Sequence, residues 1–407
     1  MSGVKPRPAR RFRRVSETHT GQRTALASAT AANFGQFGAR VAISPFVLAI
    51  AGEFATSKSV VGLVLTGMWA VYALLQFPSG VLADRYGERR VVVLALGTTV
   101  VGSVLVAAAP SLVWFGLAAL VLGLGAGTYF AAGTALLDRR FAGTGRALSV
   151  HSAGGPLAGL VVPVAATWVA AGATWRWGVL TGGVAALGAL VVALVWVEAR
   201  PAASPGAGLR ERFSLATVGE LLSRPSVAFT TVLGVVGMYV FQATVSFFPT
   251  FLQEHHELTR GRAGLAMGVA FVLIAVTMPA VGAAADRWDL DAMVALPLLV
   301  TAGGFATLVL APASPAGRWL GVGLVGVGLT WGGAIQARFM REFGPEERGT
   351  GFGLVRTVFV FLGSVGNVLT GVLADVAGWP VAYGVVVGLL CLGAFLLAAN
   401  RALGWGL

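Results

Sequence analysis

Long apolar runs separated by short polar stretches make up most of this chain. Twelve such runs of roughly twenty residues lie near 26–51, 59–83, 90–110, 112–137, 147–171, 175–197, 226–252, 262–284, 292–312, 317–340, 351–375 and 379–401. A run of about 20 apolar residues, at ~1.5 Å rise per residue, crosses the ~30 Å hydrocarbon core of a bilayer. Helix is the expected structure because lipid offers the backbone no hydrogen-bonding partners. The pattern predicts an all-α polytopic membrane protein with twelve transmembrane helices.

Composition supports this prediction and excludes several kinds of chemistry. Of the 407 residues, 56% are hydrophobic and 11% are charged, whereas about a quarter of the residues in a soluble domain are charged. No G-x-x-x-x-G-K-[ST] loop is present, so the sequence offers no nucleotide-driven engine. His255 and His256 lack further ligands at metal spacing, and Cys391 stands alone. We expect no metal site, no cofactor and no enzymatic activity.

The distribution of Lys and Arg predicts how the chain is oriented. If residues 84–90 face the cytoplasm, 22 of the 29 Lys and Arg residues lie on the cytoplasmic side and five on the opposite side. The positive-inside rule then predicts a multi-pass protein of the plasma (inner) membrane with both termini in the cytoplasm. The net charge of +12 is thus explained by contact with the lipid bilayer, and no nucleic-acid partner is predicted.

Three short patterns occur twice, about 200 residues apart. Asp84-Arg85 is matched by Asp286-Arg287, "ARVAISPFVL" (39–48) by "ATVSFFPTFL" (243–252), and Trp175 by Trp379. The repeat predicts two pseudo-symmetric six-helix bundles with the solute path between them. The predicted divisions are a cytoplasmic basic tail (1–24), an N-terminal bundle (25–197), a cytoplasmic linker (198–225), a C-terminal bundle (226–401) and a cytoplasmic tail (402–407).

The charged stretch "GVLADRYGERR" resembles the loop 2–3 signature of the major facilitator superfamily, G-x-x-x-D-[RK]-x-G-[RK]-[RK]. Gly80, Asp84, Arg85 and Gly87 match in register, Arg89 and Arg90 supply the basic pair one position later because Glu88 follows Gly87, and Asp286-Arg287 belongs to a degenerate copy. Gly87 permits the sharp turn and Gly80 a close helix approach. The resemblance covers residues 25–401 and implies the superfamily's fold and secondary active transport by alternating access. Residues 69–90, together with the arginine of the first helix, are similar to anion-transporting branches.

The resemblance also implies a conformational latch in the charged loop. Asp84 is expected to face the N-terminus of the eleventh helix, where backbone N–H groups favour an anion. Arg348 and Arg356 could supplement that contact, and Asp286 would face the start of the fifth helix near Arg146. Because such contacts exist only when the cytoplasmic side is closed, they would bias the two transport states.

Arg40 is the candidate centre of the solute site. It lies about fifteen residues into the first helix, too deep to snorkel, so it needs a cavity or a partner. Polar and aromatic residues on cavity-lining helices complete the predicted site: Asn33 and Gln36; Trp69, Tyr72 and Gln76; Tyr239 and Gln242; Trp331 and Gln336. A guanidinium with amides and aromatic hydroxyls suits a carboxylate or similar oxyanion. No carboxylate lies at mid-bilayer, which argues against a cationic solute.

These residues predict a secondary active transporter for a small organic, anionic solute, working as a monomer. An exporter of drugs or hydrophobic compounds is the first alternative, favoured by the aromatic content and by Gly155-Pro156-x-x-Gly159, part of an antiporter signature in which His151 replaces a glycine. The second alternative is a transporter-like sensor or receptor that binds its ligand without moving it.

Overall fold

The computed structural model describes residues 9–141, 144–202, 215–285, 287–310, 314–344 and 348–407, and the side chains of 9–20, 144–146, 215 and 348–350 lie outside that description. The described residues are helical between short turns. Twelve segments are long and apolar enough to cross a membrane, which confirms the number and the approximate positions predicted from the sequence.

The twelve segments are numbered α1 to α12, and four of them consist of two helical pieces. The helices are α1 (Ala9–Val41, a 3₁₀ turn at Ser44–Phe46, and Val47–Glu53), α2 (Lys58–Tyr86), α3 (Glu88–Ala107), α4 (Leu112–Gly127 and Phe130–Asp138), α5 (Thr144–Val169), α6 (Trp175–Trp196), α7 (Pro225–Glu254), α8 (Arg260–Ala285), α9 (Leu290–Leu310), α10 (Pro315–Gly328 and Trp331–Glu342), α11 (Arg348–Gly363 and Val365–Val376) and α12 (Trp379–Leu403). A short helix, Leu215–Leu222, precedes α7, as expected for the central linker.

The helices pack through small residues. A Cβ on Gly123 of α4 would lie 2.2 Å from the Met68 carbonyl oxygen of α2, and one on Gly182 of α6 would lie 2.6 Å from Cα of Ala39. Lipid tails are as apolar as the helix surfaces, so close backbone approach replaces the hydrophobic effect as the main source of helix association. Large apolar side chains such as Trp168 therefore point outward.

Ion pairs and side-chain hydrogen bonds occur at matching places in the two halves of the chain. Near one end of the bundle, Trp175 Nε1 donates to Glu53 and Trp379 Nε1 donates to Glu254. Near the other end, Arg139 pairs with Glu88 and Arg338 pairs with Asp291. The first end is called the Lys58 end and the second the Asp84 end below. These pairs tie helices together within each half.

Candidate functional site

Arg40 lies in a box of aromatic rings and amides on α1 and α2. Its side chain is buried, with the guanidinium carbon 4.1 Å from the ring centroids of both Trp69 and Tyr72. Its Nη2 donates to Gln36 Oε1 at 2.6 Å, whereas Nη1 has no hydrogen-bond partner. Ring faces stabilise a desolvated guanidinium but leave its in-plane N–H groups free to bind an anion.

A hydrogen-bond chain holds Gln36 in place. Gln36 Nε2 donates to Asn33 Oδ1 at 2.8 Å, and Asn33 Nδ2 donates to the His151 carbonyl oxygen of α5 at 2.9 Å. The predicted stripe Asn33–Gln36–Arg40 is therefore one connected network, which fixes the orientation of the guanidinium.

Arg356 brings a second guanidinium to the same region from the other half of the chain. It donates to Gln76 Oε1 of α2, and its guanidinium carbon lies 3.9 Å from the ring centroid of Phe130 in α4. Gln76 is one helical turn from Tyr72, so Arg356 lies beside the Arg40 box. In the described part of the chain neither arginine has a carboxylate partner.

The α7 side of the site is polar but uncharged. Tyr239, Gln242 and Trp331 are all buried, and the Tyr239 hydroxyl, the Trp331 Nε1 and both heteroatoms of the Gln242 amide lack hydrogen-bond partners. Since most buried polar atoms in proteins are paired, such a group of unpaired atoms is typical of a binding site. Gln336 differs because it is exposed and lies roughly 140° around the helix from Trp331.

The Lys58 end of the bundle is closed between the two halves. Lys58 Nζ lies 3.2 Å from Glu254 Oε2 and 3.4 Å from Asp375 Oδ1, and the Ser59 N–H donates to Asp375 Oδ2 at 2.7 Å. These contacts join α2 to α7 and α11. The sequence analysis missed this network, although Lys58 is one of only two lysines in the chain.

A layer of polar contacts lies between that network and the Arg40 box. Ser44 Oγ donates to the Ser246 carbonyl oxygen at 3.3 Å, which links α1 to α7. Thr66 Oγ1 donates to the Ser364 carbonyl oxygen and accepts from the Val368 N–H, both at 3.1 Å, which links α2 to α11. The site is thus sealed on its Lys58 side.

The halves separate toward the Asp84 end. A Cβ on Gly264 or Gly268 of α8 would contact α5 within about 3.2 Å, so these helices touch near the Lys58 end. No residue of α8 from 275 to 284 is buried. The part of α8 nearest the Asp84 end is therefore not packed closely against α5. Within the N-terminal half, a groove of about 550 Å³ lies between Arg23–Phe34 of α1 and Val150–Leu157 of α5.

The charged loop turns as the glycines predict. Gly87 has φ +86° and ends α2, and a Cβ on Gly80 would lie 3.4 Å from the Ala131 side chain of α4. Asp84 is half-buried, whereas Arg85 and Arg90 are exposed. The contact of Asp84 with the start of α11 stays a prediction.

Glu88 is a member of this loop that the sequence analysis did not single out. Its carboxylate is buried and pairs with Arg139 at the end of α4. Around this pair, other arginines donate to backbone carbonyl oxygens: Arg89 to Leu194 at 2.9 Å and Arg140 to Glu198 at 3.1 Å. Burial, together with the nearby Arg200, lowers the pKa of the Arg140 guanidinium.

Part of the predicted latch lies beyond the described residues. Asp286 and the side chains of Arg146 and Arg348 are outside the described parts of the chain, and Arg287 is exposed. Arg356 contacts Gln76 and Phe130 beside the Arg40 box.

Comparison with known proteins identifies the family. The family model of the Major Facilitator Superfamily matches residues 29–365. The chain belongs to the Major Facilitator Superfamily. Its sequence resemblance to this superfamily is thereby confirmed.

Similar proteins of this superfamily differ in what their names say they carry. A multidrug resistance protein B homolog of Mycobacterium tuberculosis is 30% identical over 227 residues, which are 54% of this chain and 38% of that protein. The match therefore spans well under half of the relative's length.

Solved structures show the same fold at low sequence identity. The nucleoside transporter NupG is 13% identical, with a TM-score of 0.77 over 92% of this chain and 99% of that one. A bacterial homolog of the human lysosomal transporter Spinster is 16% identical, with a TM-score of 0.76 over 94% and 97%. The human organic anion transporter MFSD10 is 18% identical, with a TM-score of 0.64 over 92% and 99%.

Proposed function

We propose that this transporter carries a small organic anion by alternating access and binds it between Arg40 and Arg356. The observation that carries the proposal is that two guanidiniums reach one region of the bundle, from its two halves, while neither has a carboxylate partner in the described part of the chain. Holding an arginine at mid-bilayer costs about 3 kcal/mol or more. An anion that neutralises both charges offsets that cost.

The contacts at the Lys58 end and at the Asp84 end fit one state of an alternating-access cycle. The Lys58 end is closed by its ion network and by the Ser44–Ser246 layer, whereas α5 and α8 separate toward the Asp84 end. The surplus of Lys and Arg at the Asp84 end favours a cytoplasmic location for it. We therefore assign the conformation as inward-facing, with the solute released to or received from the cytoplasm.

Export of hydrophobic compounds is the second candidate function. The aromatic rings around Arg40 and the pair of Phe37 and Phe271, with ring centroids 5.8 Å apart, offer an apolar surface at the same place. The name of the mycobacterial relative also favours export of hydrophobic compounds. The name of MFSD10 favours transport of an organic anion to the same extent.

Solute counterflow in reconstituted proteoliposomes separates these functions. Labelled carboxylates of four, six and eight carbons, with and without a terminal hydroxyl, are compared with the corresponding uncharged carboxamides and with the lipophilic cation tetraphenylphosphonium. We expect carboxylate flux that falls at least tenfold in Arg40→Gln and is retained in Arg262→Gln, since Arg262 is exposed at the Lys58 end.

Two results would overturn the proposal. Carboxylate flux that is equal in wild type and Arg40→Gln would remove the role of Arg40, and cation flux without carboxylate flux would favour the exporter. Carboxylate binding, measured as a ligand-dependent rise in unfolding temperature, without any flux would favour the sensor.

A further inference from the structure

Gln242 is the least satisfied buried polar side chain in the described part of the chain. It is 0% exposed, and both Nε2 and Oε1 lack hydrogen-bond partners. No other described residue has two such atoms. A buried primary amide can donate two hydrogen bonds and accept two, so Gln242 presents both capacities.

Two contacts between α1 and α7 place Gln242 at the depth of Arg40. On the Lys58 side, Ser44 of α1 contacts Ser246 of α7, and these residues are four positions beyond Arg40 and Gln242 respectively. On the Asp84 side, the ring centroids of Phe37 and Phe241 are 6.4 Å apart. Arg40 and Gln242 therefore lie at similar depth between these two contacts, on neighbouring stretches of α1 and α7.

The groups next to Gln242 are also neutral. Tyr239 lies three residues earlier on the same face of α7, and its hydroxyl is unpaired. Trp331 packs against α7 at Gly237, where a Cβ would lie 2.6 Å from the indole ring, and its Nε1 is unpaired. The site is thus cationic on the α1–α2 side and neutral, with donors and acceptors, on the α7 side.

Building on the proposed function, we infer that the transported anion carries an uncharged hydrogen-bonding group at the end remote from its acid group. The acid group binds Arg40 and Arg356, and a hydroxyl or amide binds Gln242 and Tyr239. A hydroxyl both donates and accepts, as Gln242 requires. An ammonium group only donates and would bring a charge to a surface that holds no carboxylate. A methyl group would leave the amide unpaired.

The carboxylate panel tests this inference through the hydroxyl. At the chain length that fits, we expect the ω-hydroxy acid to compete for counterflow at least tenfold better than the unsubstituted acid, because a site built to bind a hydroxyl discriminates strongly against its absence. In Gln242→Leu the ratio of competition by the ω-hydroxy acid to competition by the unsubstituted acid should fall below twofold. Gln253→Leu, in the same helix with its amide bonded to the Pro249 carbonyl oxygen at 3.1 Å, should keep the wild-type preference.

A second variant should change which terminal group of the solute is preferred. Gln242→Glu supplies an acceptor with a negative charge, so ω-amino acids should become substrates and ω-hydroxy acids should lose at least part of their advantage. Size-exclusion profiles and unfolding temperatures of both variants confirm that they fold.

Each other outcome contradicts a specific statement. Absence of Arg40-dependent flux for every acid contradicts the proposed function itself. Arg40-dependent flux without a hydroxyl preference at any length contradicts only the inference. A hydroxyl preference that survives in Gln242→Leu would show that Gln242 does not cause it.

Discussion

The ammonium of Lys58 joins α2 to α7 and α11 and so connects the two halves at the Lys58 end. Its Nζ lies 3.2 Å from Glu254 and 3.4 Å from Asp375, and the Lys58 side chain is 18% exposed. Exposed ion pairs contribute up to about 1 kcal/mol each, and these two are partly shielded from water. Lys58→Gln should therefore destabilise the closed Lys58 end by about 2 kcal/mol. This corresponds to a roughly 30-fold change in the ratio of closed to open states.

Double electron–electron resonance measures that ratio directly. Spin labels at Gly172 in α5–α6 and Arg262 in α8, both exposed at the Lys58 end, report the separation of the halves in a Cys391→Ser background. We expect Lys58→Gln to move population from the short to the long distance, and added substrate to change the ratio further.

Arg176→Gln is the matched control. Arg176 pairs with Glu53 at 2.7 Å at the same end of the molecule, but both residues belong to the N-terminal half. Removing this pair should leave the distance distribution unchanged. The reasoning fails if Lys58→Gln keeps the wild-type distribution or if Arg176→Gln shifts it equally.

Three further changes have defined outcomes. Arg40→Lys keeps the charge but loses the planar stacking on the aromatic rings, so carboxylate counterflow should fall at least tenfold; wild-type flux would show that charge alone suffices. Gly123→Ala should lower the free energy of unfolding by about 1–3 kcal/mol, since the new Cβ would overlap the α2 backbone; Gly97→Ala, with nothing within 4 Å of its Cβ, should not lower it. Glu88→Gln should lower it by about 2 kcal/mol because the charge of Arg139 then lacks its carboxylate. Unfolding in detergent, monitored by circular dichroism, measures the free energy of unfolding of the Gly123 and Glu88 variants. An unchanged value in Glu88→Gln would contradict stabilisation by the Glu88–Arg139 pair.

The hydrophobic pattern was sufficient to predict the twelve helices. Lipid leaves the backbone no alternative to helix, and the length of each apolar run sets the span. Arg40 could be singled out for a similar reason, because a charge so far from either helix end needs a partner. The spacing of Asn33, Gln36 and Arg40 also predicted that they share a face, and the structure connects them by hydrogen bonds.

The tertiary structure alone decided which faces meet. Helical spacing fixes which residues of one helix lie together but not how that helix is rotated toward another, and apolar lipid provides little preference between faces. The contact of Arg356 with Gln76 and the position of Gln242 at the depth of Arg40 follow from how α11 and α7 are placed against the first half. Lys58, Glu254 and Asp375 are up to 317 residues apart in the chain, and each taken alone is an ordinary charge at a helix end. Only the folded arrangement of the two halves brings them into one ion network.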